Sequence, residues 1–254
     1  MPDVGFETEY GIAIITIRRP QVRNAVDRAT AESLSEAFDE LDSRSDISVG
    51  ILTGEGGTFC AGMDLKALAA TGERPMSKSR GSFGIVERPP EKPLVAAVEG
   101  SALGGGLEVA LSCDLIVAAD DARLGLPEVR RGLVAAAGGV FRLPDRIPRN
   151  VAKEMMLTGV PISAARAYEL GLVNRVVANG ESLTVALDIC REIAAGAPLA
   201  IRASKRIADE SADWPRDQQF SRQLPILQPV RESADAQEGA RAFVEKRRPV
   251  WKGE

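Results

Sequence analysis

The segment SALGGGLEVALSCD (101–114) sets three consecutive glycines, Gly104 to Gly106, before an apolar run that holds a single acid, Glu108. Glycine weakens a helix by about 1 kcal/mol relative to alanine, so three together require a local cause. A helix N-terminus carries unpaired N–H groups and a dipole that favours negative charge, and residues without side chains let a ligand oxygen reach those donors. No Lys follows as in G-x-x-x-x-G-K-[ST], and G-x-G-x-x-G is not present, so a phosphate cradle is the weaker reading. Two readings stand for this segment: a donor site for a developing oxyanion, or close packing of helix on strand. A second segment, TGEGGTFCAGMDL (53–65), has the same form, turning on glycines and entering a helix near Asp64. Alone, Asp64 reads as an N-cap. A third, ARLGLPEVRRGLVAAAGG (122–139), sets Glu128 directly after Pro127. Taken singly, Glu108 and Glu128 read as surface acids.

The chain has no histidine. That excludes Ser-His-Asp and Cys-His nucleophilic mechanisms and histidine metal sites, and leaves acid–base work to Asp, Glu, Lys, Tyr or Cys. Cys60, Cys113 and Cys190 are odd in number, widely spaced and without a C-x-x-C pair, which suits a reducing cytoplasm and no metal site. A net charge of −4 provides no basic field for nucleic acid. No apolar stretch reaches the roughly 20 residues of a membrane span. The N-terminal MPDVGFETEY lacks the basic and apolar regions of a signal peptide.

The elements that must position these residues follow from periodicity. β-Branched apolar runs at 12–17, 49–52, 94–98 and 115–119 read as strands. TAESLSEAFDELDS (30–43) reads as a helix with Leu34, Phe38 and Leu41 on one face and Thr30 as its N-cap. Leu103 to Ser112 reads as a short helix between two strands. Strands alternating with helices predict an α/β fold with crossover connections. Beyond residue 145 helices dominate, with Gly159, Gly171 and Gly196 as ends, Ser163 and Ser182 as caps, and Pro198 at a start. Only LVNRVV interrupts, as an edge strand. Residues 70–93, rich in Pro, Gly and Ser, read as a long loop near a site. The chain of 254 residues supports one sizeable core with an appended subdomain, divided here as 1–195 and 196–254.

Taken in order, these segments resemble the crotonase superfamily, the enoyl-CoA hydratase and isomerase family. FCAGMDL resembles its F-x-A-G-x-D-[LI] motif, GSALGGGLEVALSCDLIVA its G-x-A-x-G-G-G-x-E-[LV]-A-x-x-C-D segment, and LGLPEVRRGLVAAAGG its [FL]-x-x-P-E-x-x-x-G-x-x-P-G-x-G-G segment. RRPQVRNAV and RAFVEKRRPVWKG are similar to motifs near its two ends, so the likeness runs from about residue 5 to 252. The resemblance implies a spiral of repeated β-β-α units with a C-terminal helical oligomerisation subdomain, assembled as a homotrimer or a dimer of trimers. It implies an acyl-CoA substrate, no separate cofactor, and an oxyanion hole made by the backbone N–H groups of Met63 and Gly105. It matches Glu108 and Glu128 to a catalytic pair for hydration of a 2-enoyl-CoA. The rivals are isomerisation, carnitinyl-CoA-type dehydration, or acyl-CoA binding without catalysis. Arg23, Asn24, Ala25, Ala61, Asp64 and Leu65 match positions along the thioester ligand. Phe243 and Lys246 match residues that reach the nucleotide end, often from a neighbouring subunit; a basic helix end is the alternative for Lys246. The chain departs from the family at Ala135 and Ala136, where Pro-Gly is common. The Ala136 N–H is the expected counterpart of a water-holding amide.

Overall fold

The computed structural model describes residues 3–254, so the first two residues of the 1–195 unit lie outside the described residues. Strands β1 (Val4–Glu9) and β2 (Ile12–Ile17) form an antiparallel hairpin at the edge of a six-stranded sheet. Beyond β2 the sheet is parallel and runs through β3 (Val49–Gly54), β6 (Leu94–Val98), β8 (Leu115–Ala119) and β11 (Arg175–Val177). The four sequence-predicted strands are all present, and LVNRVV supplies the edge strand. The sequence reading missed β1, whose exposed residues, Glu7 and Thr8, are polar.

Helices cover both faces of this sheet, so β6 is buried along its whole length, as its unbroken apolar run requires. Ile51, Val95, Ala97 and Val117 face Ala186 and Cys190 of α7 (Ser182–Ala194). Leu52, Ala96, Val98 and Ile116 share the larger core with Leu34, Phe38 and Leu41 of α1 (Arg28–Ser43). Two expected caps differ. Asp27, not Thr30, caps α1, its side chain accepting from the Thr30 N–H at 2.8 Å. Glu181 precedes α7, and Ser182 is its first helical residue. Ser163 does cap α6 (Ala164–Glu169).

A second sheet positions the site. After β6 the chain turns at Gly100 into β7 (Ser101–Leu103) and then enters α3 (Gly105–Ala110). After β8 it enters β9 (Arg123–Gly125) and then a 3-10 turn, Glu128–Arg131. β7 and β9 pair in parallel, and β10 (Ile162–Ser163) completes the sheet. After β3 the chain makes the same move in abbreviated form: Cys60 bridges Ala102 in parallel before α2 (Leu65–Thr71). Three successive passes of one spiral therefore end in Met63, Gly105 and Glu128.

The 70–93 segment holds a small hairpin of β4 (Met76–Ser77) and β5 (Gly81–Ser82). Arg80, buried within it, reaches Asp42 at 2.7 Å and Asp39 at 2.9 Å, which fastens the segment to α1. Helices α4 (Gly139–Arg146) and α5 (Arg149–Thr158) follow the third pass. Past α7 lie α8 (Pro198–Ser211), α9 (Gln219–Glu232) and α10 (Ala234–Glu245). Lys205 joins α8 to Asp114 at 2.7 Å, and the Trp251 indole donates to Ala195 O at 2.7 Å. The division at 195/196 falls in the short connection between α7 and α8. No helix among the described residues is long and apolar enough to cross a membrane.

Candidate active site

Each glycine of the triplet meets a different requirement. Gly104 has φ +57°, a left-handed conformation that side chains disfavour. A Cβ on Gly105 would fall 2.0 Å from Phe83 Cζ, and one on Gly106 would fall 2.1 Å from Cys60 O. Close packing is thus part of the cause. The other part is exposure of a donor: Gly105 is the first residue of α3, and its N–H has no acceptor among the described residues.

The first glycine turn lies against this one. A Cβ on Gly62 would sit 2.8 Å from Leu103 O and 3.0 Å from Gly105 N. Cys60 N donates to Ser101 O and Leu103 N to Cys60 O, lacing the two turns together. On the opposite edge, Val26 N donates to Gly62 O and Asp64 N to Val26 O. Those bonds leave the Met63 N–H on the side away from Val26, where no acceptor among the described residues meets it. Met63 and Gly105 line the same cavity of about 770 Å³.

Both acids line that cavity too. Glu108 is 3% exposed, and its Oε1 accepts from the Gly139 N–H at 2.9 Å. Burial pushes its carboxyl up to about 7; the Gly139 bond opposes that rise, and the nearby Glu128 charge adds to it. Glu128 is also raised, chiefly by burial, and its Oε2 is a buried oxygen with no hydrogen-bond partner among the described residues. Two carboxyls that resist ionisation face one space. Burial of both, and for Glu108 the neighbouring Glu128 charge, favours the protonated forms.

The other predicted residues divide. Arg23, Ala25, Ala61, Asp64 and Leu65 line the cavity. Asp64 does so while capping α2, its Oδ1 accepting from Lys66 N and Ala67 N, and its Oδ2 meeting Arg19 at 3.2 Å. Its carboxylate is therefore occupied structurally. Asn24 is fully buried and absent from the lining; it accepts from Arg19 N and donates to Glu55 O and Thr58 O, tying loops behind the wall. Ala136 lines the cavity, but its N–H donates to Val134 O at 2.7 Å, so it is not the free amide expected for holding water. Phe243, 84% exposed on α10, and Lys246, which ends that helix in a left-handed conformation, are not among the lining residues.

Sequence reasoning missed three contributors. Arg19 gathers Asp3, Asp27 and Asp64 around the first turn; only its place in RRPQVRNAV could have hinted at it. Gly139 supplies the amide that fixes Glu108. Phe83 stands in a segment whose polar composition gave no sign of a wall residue. Among the described residues no group of three His, Cys, Asp or Glu could hold a metal ion.

Comparisons with known proteins identify the family. A sequence model of the family described as enoyl-CoA hydratase/isomerase matches residues 7–254. The chain is 40% identical over 256 residues to the enoyl-CoA hydratase EchA19 of Mycobacterium tuberculosis, covering 98% of this chain and 96% of that protein. It is 42% identical over 247 residues to a carnitinyl-CoA dehydratase of Salmonella enteritidis, covering 94% of each. The crystal structure of enoyl-CoA hydratase EchA1 from Mycobacterium marinum superposes with a TM-score of 0.97 at 52% identity, with both chains fully covered. The fold is that of the crotonase superfamily. Within it, the chain belongs to the enoyl-CoA hydratase/isomerase family.

Proposed function

We propose that this cavity adds water across the double bond of a 2-enoyl-CoA, giving a 3-hydroxyacyl-CoA. The observation that carries the reading is the convergence of two unpaired amides, Met63 and Gly105, with two proton-retaining carboxyls, Glu108 and Glu128, on one cavity. The amides receive the thioester oxygen, and each such donor contributes about 3–4 kcal/mol to an oxyanion-like transition state. Water loses a proton to the ionised carboxyl of the pair as its oxygen bonds to the β-carbon. The double-bond electrons move toward the thioester oxygen, and the protonated carboxyl delivers its proton to the α-carbon. The pair regains its starting state after one further proton exchange. This cycle needs no cofactor beyond the coenzyme A that the substrate carries.

Run backwards, the same atoms dehydrate a 3-hydroxyacyl-CoA, which is how the carnitinyl-CoA dehydratase relative is accommodated. Incubation with but-2-enoyl-CoA should remove the ultraviolet absorbance of the conjugated thioester and raise the product mass by one water. An unchanged mass would indicate isomerisation, and tight binding without turnover an acyl-CoA-binding protein; either outcome removes the hydratase reading.

Arg23 stands at the cavity with Lys66, Arg74 and Arg131, which supplies local positive charge for coenzyme A phosphates in an acidic chain. The 196–254 helices are assigned to self-assembly as a trimer or a pair of trimers. Exposed Phe220, Phe243, Val244 and Val250 support that role. In such an assembly Phe243 and Lys246 would serve a neighbouring subunit's site. A cytoplasmic location accompanies this reading, supported by three cysteines that are free and buried.

A further inference from the structure

The 70–93 segment supplies one residue that the chemistry above does not use. Phe83 is buried, lines the cavity, and has φ +55°, a left-handed conformation that a bulky side chain seldom adopts. Its neighbours enforce it. Gly81 and Gly84 are also left-handed, and a Cβ on Gly84 would fall 2.1 Å from Ala31 O, so this turn sits hard against α1. The Phe83 N–H donates to Pro75 O at 2.7 Å, and Ile85 and Val86 are buried immediately after it. Val86 O accepts from Arg142 at 2.6 Å, which ties the far side of the turn to α4. Surroundings that hold an unfavourable backbone conformation this firmly fix where the ring goes.

The ring goes to the oxyanion end of the cavity. The near-contact of Phe83 Cζ, Cε1 and Cε2 with the Cβ position of Gly105 sets its outer edge against the Cα of that residue. An acyl chain whose thioester oxygen is held at the Gly105 amide leaves the carbonyl within the cavity that this ring lines together with the two glutamates. We infer that Phe83 is the specificity-determining wall of the acyl slot, admitting narrow, unbranched 2-enoyl groups and rejecting ones that carry a ring or branch at the double bond. The inference rests on the hydratase reading for its substrate class. A β-methyl group is small enough to lie beside the aromatic ring, whereas a phenyl ring or a branch on the reacting carbons would collide with it.

The test compares kcat/KM for but-2-enoyl-CoA and cinnamoyl-CoA in the wild type, Phe83→Gly and Phe83→Leu. Glycine accepts the left-handed backbone, and leucine retains a side chain of intermediate bulk. The wild type should favour but-2-enoyl-CoA. The cinnamoyl/butenoyl ratio should rise at least tenfold in Phe83→Gly and by a smaller factor in Phe83→Leu, within the range by which pocket shape discriminates between substrates. A ratio within twofold of wild type in a variant with a native circular dichroism spectrum would overturn the inference. Should Phe83→Gly fail to fold, Phe83→Leu decides alone by the same criterion. Calorimetry with the saturated thioesters butanoyl-CoA and 3-phenylpropanoyl-CoA reads the same selectivity without turnover. A wild type that hydrates neither enoyl thioester would therefore remove the hydratase reading while leaving the wall assignment separately testable.

Discussion

Glu108 is buried where its charge is costly, and the backbone amides of Gly139 and Ala137 offset only part of that cost. Its rise from 4.5 to about 7 corresponds to about 3 kcal/mol at about 1.4 kcal/mol per pH unit. The folded state holds this proton more tightly than the unfolded chain, so stability is greatest below the unfolded value and declines as pH rises from about 4.5 to about 7. Glu108→Gln keeps an oxygen for Gly139 and removes the charge. It should raise stability at pH 8 by on the order of 1–3 kcal/mol, read as a higher melting temperature, while lowering hydration at least a hundredfold. Glu128→Gln should lower hydration by a similar factor; full activity in both variants would dismiss the pair as catalysts. The rate should follow a bell in pH. It falls in acid, where both carboxyls are protonated, and falls again above about 7 as the shared proton is lost. A flat profile from pH 5 to 9 would contradict proton sharing.

Short elements built on glycine present the amides. α3 has six residues, too few to be stable alone, and it is held by its packing on the first turn. Gly106 is the tightest point of that contact, since any side chain must displace the Cys60 carbonyl. Gly106→Ala should therefore destabilise the protein by about 1–3 kcal/mol through overpacking and shift Gly105 away from Met63. The expected readout is a fall in kcat larger than the rise in KM. Wild-type kinetics and melting in this variant would show that the two turns are not rigidly coupled. At this scale much was legible beforehand. The strands at 12–17, 49–52, 94–98 and 115–119 declare themselves because strands buried on two faces need unbroken apolar runs. Short β7, β9 and β10 were not legible, because two or three residues carry no period. The N-cap of α1 was misplaced by three residues because Asp27 and Thr30 are both good caps, and only the fold decides which backbone is extended.

The whole molecule joins an enclosed α/β spiral to a helical end with a far more exposed apolar surface. Phe220, Phe243, Val244 and Val250 are all largely exposed on or after the last helices, and no residue of α8 or α9 is buried. Substituting Phe243→Asp should leave the circular dichroism and melting of the α/β core intact while lowering the sedimentation coefficient toward that of a monomer. If Phe243 also serves a neighbour's site, KM for the thioester should rise in the same variant. A wild type that sediments as a monomer at all concentrations would remove the assembly role.

The chain itself determined the absence of histidine chemistry, the parallel α/β core and the ordered glycine and acid motifs, because these depend on residue type and short-range period. Only the tertiary structure decided which groups meet. Met63, Gly105 and Glu128 end separate passes of the spiral, and hydrogen bonds between those passes bring them to one cavity. It likewise withdrew Asn24 into the wall, occupied the Ala136 N–H, and turned Phe83 inward. Each outcome depends on which backbone donors and surfaces remain unpaired after packing, a quantity that sequence spacing does not carry.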